Sequence, residues 1–284
     1  MATTQPEQSV RPIDRHSVFG RVLVGIDGSP EGLEAARQAA VLAEGPVTLL
    51  AVYDISSAIV GGTGPYVPMY YDDDYQRRTA ENALAKARNE LEGIVSPTGK
   101  IVRGCSWDAL LKEIERDHDT LVALGSHGDG RARGFFVGST ATEVIHKSPC
   151  SVLVARDGGR PIPKRIVVGI DGSPESAVAY ATGRDLAARF HAELWPVVAH
   201  GGKGVDTRMV AMVVDRNHED SPEEPVGALL AAGAEAGLLI VGSRGVHGLK
   251  SFGSVSERVA HQAAGSVLIV REPPWQRIEE ALER

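Results

Sequence analysis

Cysteine and aromatic residues are scarce in this sequence. Two cysteines, Cys105 and Cys150, occur among 284 residues, and aromatic residues make up 5% of the chain. Neither cysteine has neighbours at a metal-ligand spacing, so we expect both to be small buried thiols in a reducing compartment. Because aromatic side chains are so few, the hydrophobic core has to consist mainly of alanine, valine, leucine and isoleucine.

Positive charge in excess and long apolar runs are also missing. The formal net charge is −7, which argues against a nucleic-acid-binding protein, since such proteins normally present a basic face. No uninterrupted apolar run approaches the length of a membrane span, and residues 1–17 lack the apolar segment of a secretory signal. We therefore expect a short disordered leader over residues 1–17 and a cytoplasmic protein.

Three common catalytic motifs are absent as well. The chain contains no Gly-x4-Gly-Lys-Ser/Thr and no Gly-x-Ser-x-Gly, which argues against a P-loop nucleoside triphosphatase and against an esterase nucleophile. Its nine histidines include no His-Glu-x-x-His zinc motif. These patterns predict no catalytic residue.

One heptapeptide, Gly-Ile-Asp-Gly-Ser-Pro-Glu, occurs twice, at residues 25–31 and 169–175. Each copy follows a short run of β-branched residues typical of a buried parallel strand. In the first copy Ser29 is a good helix N-cap, Pro30 suits the first helical position, and Glu31 favours the positive end of the helix dipole. The repeat therefore predicts the same strand–turn–helix unit in two places.

Strands alternate with helices after both copies, which predicts open parallel sheets with helices on both faces. We expect a first domain over residues 18–156, a linker over 157–163, a second domain over 164–271 and a tail over 272–284. The second copy is shorter and lacks one helix, so one face of its sheet should be less covered. Its third strand is predicted at residues 210–215. In the first domain the third helix is predicted to have Asp108 as its cap.

The first candidate site residue is Asp27, which leaves the first strand. In an open parallel sheet, ligands bind outside the carboxyl ends of the strands, where the strand order switches. A carboxylate there can accept hydrogen bonds from a sugar hydroxyl or an adenine amine, and it could contact Mg²⁺. The alternative is an aspartate that only forms the turn or caps the helix.

A glycine-rich segment follows the fourth strand, over residues 125–141. Gly125, Gly128 and Gly138 allow close backbone approach, and Ser139 and Thr140 open the next helix. Unpaired amides at a helix start attract phosphate, so this segment predicts a phosphate site. Arg131 could neutralise phosphate charge or could be a solvated surface residue. We expect His127 to be a loop histidine rather than a catalytic base.

Together, the heptapeptide and the Gly-x2-Gly-x9-Gly-Ser spacing resemble the ATP-binding motif of the universal stress protein family, in a tandem two-domain form. The resemblance implies two Rossmann-like domains of five parallel strands, each with adenine nucleotide between the ends of its first and fourth strands. In the first copy it implies a nucleotide site at Asp27, Gly28, Ser29, Val52, Gly125, Gly128, Arg131, Gly138, Ser139 and Thr140. In the second copy the matching positions are Asp171, Gly172, Ser173, Val197, Gly242, Arg244, Gly245, Gly253, Ser254 and Val255. For Val52 and Val197 only a backbone contact is implied.

The second glycine loop departs from this pattern. Seven residues, instead of nine, separate Gly245 from Gly253. The reach of this loop across a ligand is therefore in doubt, and the second nucleotide site could have decayed.

The last strand of each copy is apolar and ends its sheet. An exposed apolar edge invites pairing with another strand, and the family resemblance implies dimer contacts there. We expect the two domains to pair through Ser151–Ala155 and Ser266–Val270, and two chains to form a homodimer through these terminal strands.

Three functions are compatible with these features. The first is an ATP-binding module that regulates or protects other components during stress through an unknown protein partner. The second is a slow ATPase or phosphotransferase, for which the motifs supply phosphate contacts but no clear base. The third is a scaffold in which the second nucleotide site no longer functions.

Overall fold

The computed structural model describes seven parts of the chain, residues 19–53, 73–127, 137–156, 163–199, 219–221, 224–243 and 255–272. These parts contain ten strands and seven helices. None of the helices in them is both long and apolar enough to cross a bilayer.

Strands and helices alternate in the first unit, as the sequence predicts. Its elements are β1 (Val22–Ile26), α1 (Pro30–Leu42), β2 (Val47–Tyr53), α2 (Asp73–Glu90), β3 (Thr98–Arg103), α3 (Ser106–Asp117), β4 (Leu121–Gly125), α4 (Ser139–Lys147) and β5 (Ser151–Ala155).

The second unit repeats this order with one helix fewer among the described residues. Its elements are β6 (Arg165–Ile170), α5 (Pro174–Phe190), β7 (Glu193–Ala199), β8 (Glu219–Ser221), α6 (Pro225–Gly233), β9 (Leu238–Gly242), α7 (Val255–Gln262) and β10 (Val267–Val270). The strand predicted at residues 210–215 lies outside the described residues. The strand that pairs with β7 on its outer side is β8, which the sequence pattern did not indicate.

Both copies of the heptapeptide form the predicted turn and helix start. The Ser29 hydroxyl oxygen accepts the Gly32 amide at 3.0 Å, and the Ser173 hydroxyl oxygen accepts the Ser176 amide at 3.2 Å. The glycine before each serine has a left-handed backbone, with φ of 86° at Gly28 and 80° at Gly172. A side chain would be strained in that conformation, which explains the glycine in both copies.

The start of α3 differs from the prediction. Its N-cap is Cys105, which makes no side-chain capping bond, and Asp108 lies in the first turn, 2.7 Å from Lys112. The helix begins early because Gly104, with φ of 144°, turns the chain directly after β3. As a result Cys105 is exposed rather than buried. Cys150 is buried as predicted, and burial raises the pKa of its thiol to about 12.

All ten strands form one sheet in the order β3-β2-β1-β4-β5-β10-β9-β6-β7-β8. Neighbours are parallel except at the centre, where β5 and β10 run antiparallel and Leu153 lies opposite Leu268. The prediction that the terminal strands join the two units is therefore confirmed. The predicted homodimer through the same strands is not compatible with this order. Within the chain, β5 lies between β4 and β10, and β10 lies between β5 and β9. Neither strand has a free edge for a second chain.

Two aliphatic layers fill the two faces of the sheet. One layer lies under α1, α2 and α5, and the other lies under α3, α4, α6 and α7. The largest fully buried side chains are all leucine or isoleucine, as the shortage of aromatic residues predicts. Each layer contains side chains from both units, so the units share their cores.

The sheet face expected to be less covered in the second unit is buried at β7. Pro196 and Val198, which point to that face, are both buried. Proline is tolerated at this position because β8 pairs with Val197, Val198 and Ala199, and no other described residue pairs with β7 on its outer side at Pro196.

A second contact joins the units besides the strand pair. Arg189, at the end of α5, donates to the carbonyl oxygens of Leu42 at 3.0 Å and Ala43 at 3.1 Å. These carbonyls belong to the last residues of α1 and its C-cap, where a cation is favourable. The ends of α1 and α5 are therefore held together across the centre of the molecule.

Candidate functional site

A cavity of about 420 Å³ opens at the carboxyl ends of β1 and β4. In the sheet, β2 lies on one side of β1 and β4 lies on the other. The strand order therefore reverses at β1, and the cavity lies at the kind of switch point where open parallel sheets bind ligands. Its lining comes from the ends of β1, β2 and β4 and from the starts of α3 and α4, namely Gly25, Ile26, Asp27, Leu50, Val52, Ser106, Leu110, Leu124, Gly125, Ser126, His127, Gly138, Ser139, Thr140 and Ala141.

Asp27 forms the turn and also faces the cavity. Its Oδ1 atom accepts the Ser29 amide at 3.0 Å and the Ser29 hydroxyl at 2.5 Å. The residue is exposed, and Oδ2 accepts no hydrogen bond from the described residues. The turn-forming interpretation is therefore confirmed for Oδ1, while contact of Oδ2 with a ligand stays a prediction.

Asp171 repeats the turn in the second unit. Its Oδ1 atom accepts the Ser173 amide at 2.9 Å and the Ser173 hydroxyl at 2.6 Å. The two heptapeptides thus fold alike in their local bonds, and any difference between the two sites has to come from the surrounding elements.

Close contact with a helix requires Gly125 to lack a side chain. A Cβ atom there would lie 2.7 Å from the backbone carbon of Glu31 and the amide nitrogen of Gly32, in the first turn of α1. In the second unit, a Cβ atom at Gly242 would overlap the backbone of Glu175 and Ser176 in the same way. These glycines let the fourth strand of each unit approach the helix that follows the first.

The start of α4 forms the polar side of the cavity. Gly138 is its N-cap and has no side chain to bond the first-turn amides. The Gly138 amide itself donates to the Ser126 carbonyl oxygen at 2.7 Å, which ties the helix start to the end of β4. The amides after Gly138, together with the helix dipole, make this side favourable for an anion.

The apolar lining of the cavity comes from β2, α3 and β4, through Leu50, Val52, Leu110 and Leu124. Val52 follows Ala51, which is paired with Ile26, so Val52 lies opposite Asp27 across the two strand ends. The predicted contact position of Val52 is therefore at the cavity.

The predicted equivalence of Val197 with Val52 is wrong. In β7 Val197 pairs with Gly169, and Val198 pairs with Ile170. In the first unit the partner of Gly25 is Leu50, so Val197 is equivalent to Leu50. The residue opposite Asp171 is Ala199. The predicted alignment of the second strands was shifted by two residues. Such a shift leaves the pattern of buried residues unchanged, because alternate residues of a strand share a face.

Ser106 and Leu110 of α3 are lining residues that the sequence motifs did not indicate. Only Gly104 and Cys105 separate α3 from the end of β3. A helix that starts so soon after a parallel strand must begin at the carboxyl edge of the sheet. That short connection was the available signal for both residues.

His127 lines the cavity next to the end of β4. Its Nδ1 atom is 3.1 Å from the Ser126 hydroxyl oxygen, and its Nε2 atom is buried without a partner among the described residues. Among the described residues, the ring is therefore oriented by a hydroxyl group.

Several predicted site residues cannot be placed in the cavity. Those that lie outside the described residues are Gly128, Arg131, Arg244, Gly245, Gly253 and Ser254. Val255 is the first residue of α7 and is 37% exposed. Gly28 and Ser29 lie in the turn beside the cavity, while Ser139 and Thr140 line it.

No group of three or more histidine, cysteine or acidic residues suited to a metal ion occurs in the parts of the chain that the structure describes. Asp27 is the one acidic residue among the described residues that line the cavity. A Mg²⁺ ion there would need further oxygen ligands from a bound phosphate or from water.

Known proteins resemble this chain over most of its length. The sequence model of the universal stress protein family matches residues 19–156 and 206–271. Universal stress protein Rv2005c of Mycobacterium tuberculosis is 29% identical, over 88% of this chain and 97% of its own length. Universal stress protein Rv2623 of the same species is 26% identical, over 88% of this chain and 96% of its own length.

Solved structures share the fold. A universal stress protein from Archaeoglobus fulgidus superimposes with a TM-score of 0.68 at 20% identity, covering 91% of this chain and 98% of that one. A functionally unknown protein from Pseudomonas aeruginosa PAO1 superimposes with a TM-score of 0.63 at 18% identity, covering 93% and 96%. With two family segments in one sheet of this architecture, the chain belongs to the universal stress protein family.

Proposed function

We propose that the chain binds ATP in the cavity between β1 and β4 and acts as a nucleotide-dependent regulatory or protective module in stress. The observation that carries the proposal is the combination of apolar side chains with a helix start in the cavity lining. Apolar side chains suit a purine ring, and the start of α4, without a side-chain cap, suits phosphate. The cavity of about 420 Å³ lies in the size range of small-molecule sites.

The lining residues support one orientation of the nucleotide. Adenine would lie against Leu50, Val52 and Leu110, which are apolar. The ribose hydroxyls would donate to Oδ2 of Asp27. The phosphates would then reach the amides of Ser139 and Thr140 and their hydroxyl groups. Mg²⁺, if bound, would be held mostly by phosphate oxygens, with Asp27 as its protein contact.

The test of ATP binding uses the purified full chain. Mass spectrometry identifies any nucleotide that co-purifies, and calorimetric titration gives the affinities for ATP, ADP and AMP. We expect Asp27→Ala to weaken ATP binding by about tenfold, which corresponds to the loss of one hydrogen bond to a charged group. A chain that purifies empty and binds no adenine nucleotide at millimolar concentration would refute the proposal.

Asp171→Ala is the matched control for Asp27→Ala. It removes the same two hydrogen bonds from the same kind of turn, but in the second unit. The cost of a lost turn is therefore common to both variants. We expect Asp171→Ala to leave the affinity of the first cavity within about twofold of the unsubstituted chain.

We propose that turnover is slow at most. A hydrolase needs a placed base, and within the described parts of the chain His127 has a hydroxyl group, that of Ser126, as its ring partner. Phosphate release is measured in the samples used for titration. Release at many turnovers per minute, abolished by Asp27→Ala, would instead establish an ATPase.

Domain limits and assembly are also part of the proposal. We propose domains over residues 18–156 and 164–271, a cytoplasmic location, and an unidentified protein partner. Any association of two chains has to use surfaces other than β5 and β10, because both strands are paired on both sides within the chain.

A further inference from the structure

Two buried arginines at the centre of the molecule each reach into the other unit. Arg156 follows β5 and Arg271 follows β10, and each is 8% exposed. The Arg156 amide donates to the Ser266 hydroxyl oxygen, and the Arg271 amide donates to the Ser151 hydroxyl oxygen, both at 3.1 Å. The backbone of Arg271 is therefore anchored on β5, and the backbone of Arg156 is anchored on the residue directly before β10.

The guanidinium group of Arg271 binds the end of α4. It donates to the carbonyl oxygens of Ser148 at 2.8 Å and of Ile145. Ser148 is the C-cap of this helix. Helix ends leave carbonyl oxygens without partners, and a cation at that end is also favourable for the helix dipole. A charged donor from the second unit thus holds the last turn of α4.

The other end of α4 lines the cavity. The helix has nine residues, Ser139–Lys147, so its two ends are only about 13 Å apart. So short a helix moves as one rigid piece, and a shift at its C-terminal end displaces the amides at its start. Its N-cap is glycine, so the first turn has no side-chain capping bond. The position of the helix start therefore depends more on the contacts that Arg271 makes at the other end.

We propose that Arg271 is a positioning residue for the phosphate end of the cavity in the first unit. The proposal rests on the proposed ATP binding and adds that the second unit sets the affinity of the first for phosphate. Arg271 also lies 3.4 Å from the Ser243 hydroxyl oxygen, directly after β9. The same guanidinium group therefore joins α4 to the start of the second glycine loop.

Arg156 provides the matched control, because it makes the equivalent contacts on the other helix. It donates to the carbonyl oxygens of Ala260 at 2.9 Å and His261 at 3.2 Å, in the last turn of α7. Arg156→Gln removes an equally buried guanidinium group from the same interface. It leaves α4 and its contacts with Arg271 unchanged.

The experiment compares ATP with adenosine in the full chain. Arg271→Gln and Arg156→Gln are each made with Gly245→Glu, which is chosen to block the second glycine loop. Adenosine has no phosphate, so it reports the apolar lining and Asp27 alone. We expect Arg271→Gln to weaken ATP binding by about tenfold and adenosine binding by less than about twofold, and Arg156→Gln to leave both within about twofold.

Three results would decide against the proposal. Equal losses of affinity for ATP and adenosine in Arg271→Gln would show that Arg271 has only a structural role. Equal losses of ATP affinity in Arg271→Gln and Arg156→Gln would show the same. If Arg271→Gln does not fold, Arg271→Met, which keeps the length of the side chain without a donor, is measured in the same way, and an unchanged ratio of ATP to adenosine affinity would overturn the inference. If the unsubstituted chain binds neither ligand, the proposed function itself fails.

Discussion

At the scale of single residues, Asp119 is a carboxyl group in an unfavourable place. It is 3% exposed, and its Oδ2 atom has no hydrogen-bond partner among the described residues. Burial, followed by the negative charge of Asp117, raises its pKa to about 7, although Arg21 opposes this effect. Its neighbour Asp117 behaves oppositely, because hydrogen bonds from Arg116 and Lys100 lower its pKa to about 2.

The pH dependence of stability follows from the raised pKa of Asp119 and the lowered pKa of Asp117. A carboxyl group with a raised pKa stabilises the fold most below its unfolded value near 3.8, and this contribution is lost as pH rises through about 7. We expect Asp119→Asn to raise the free energy of unfolding by about 2 kcal/mol at pH 8 and to change it little at pH 4. Urea unfolding followed by circular dichroism at both pH values is the measurement.

Asp117→Asn is the control of opposite sign. The stabilisation from Asp117 is present above pH 3.8 and is lost as pH falls through about 2. This variant should therefore be less stable than the unsubstituted chain at pH 8. If both variants changed stability in the same direction at pH 8, the assignment of Asp119 as the strained carboxyl would be wrong.

At the scale of elements, the two strand–turn–helix units are alike in their bonds but not in their surroundings. Ser29 and Ser173 each cap a helix and donate to the preceding aspartate. In the first unit that aspartate lines the cavity, beside α3 and α4. The same local element thus serves stability in both units and, by our proposal, binding in the first.

Substitution of the two caps separates these roles. We expect Ser29→Ala and Ser173→Ala each to lower the free energy of unfolding by about 1 kcal/mol, the usual cost of a lost N-cap. Only Ser29→Ala should also weaken ATP binding, because it frees the carboxylate of Asp27 to turn away. Urea unfolding and calorimetric titration measure the two effects, and weaker binding in both variants to the same extent would contradict the separation.

At the scale of the whole molecule, the two units form one continuous sheet. The β5–β10 pair, the two arginine contacts and the Arg189 contact with α1 all cross between them. His146 and Glu257, 2.7 Å apart, add a further contact between α4 and α7. Because the aliphatic layers also contain side chains of both units, neither unit keeps a complete core alone.

A shared core predicts that both units unfold together. Trp107 lies in the first unit and Trp195 in the second. Variants in which Trp275 and one of these two are replaced by phenylalanine report each unit by fluorescence. We expect the same urea midpoint from both variants, within the difference caused by the substitutions themselves. Two well-separated midpoints, reproduced in a variant that retains both tryptophans, would show independent units.

The local features of this protein follow from its sequence. The heptapeptide predicted a strand end, a turn and a capped helix, because all the groups involved lie within a few residues of Asp27 or Asp171. Composition predicted aliphatic layers, and alternating patterns predicted a parallel sheet. The pairing of the terminal strands was also predictable, since an apolar edge strand needs a partner.

Contacts between distant parts of the chain needed the tertiary structure. The register of β7 made Ala199, rather than Val197, the equivalent of Val52, and packing against α1 explained Gly125. Arg271 binds Ile145 across 126 positions of sequence, a distance at which no local pattern acts. The sequence by itself determined most of the elements and the capped starts of α1 and α5, because these depend on residues close together in the chain. Only the packing of the whole chain decided which of their ends meet at the cavity and which arginine holds them there.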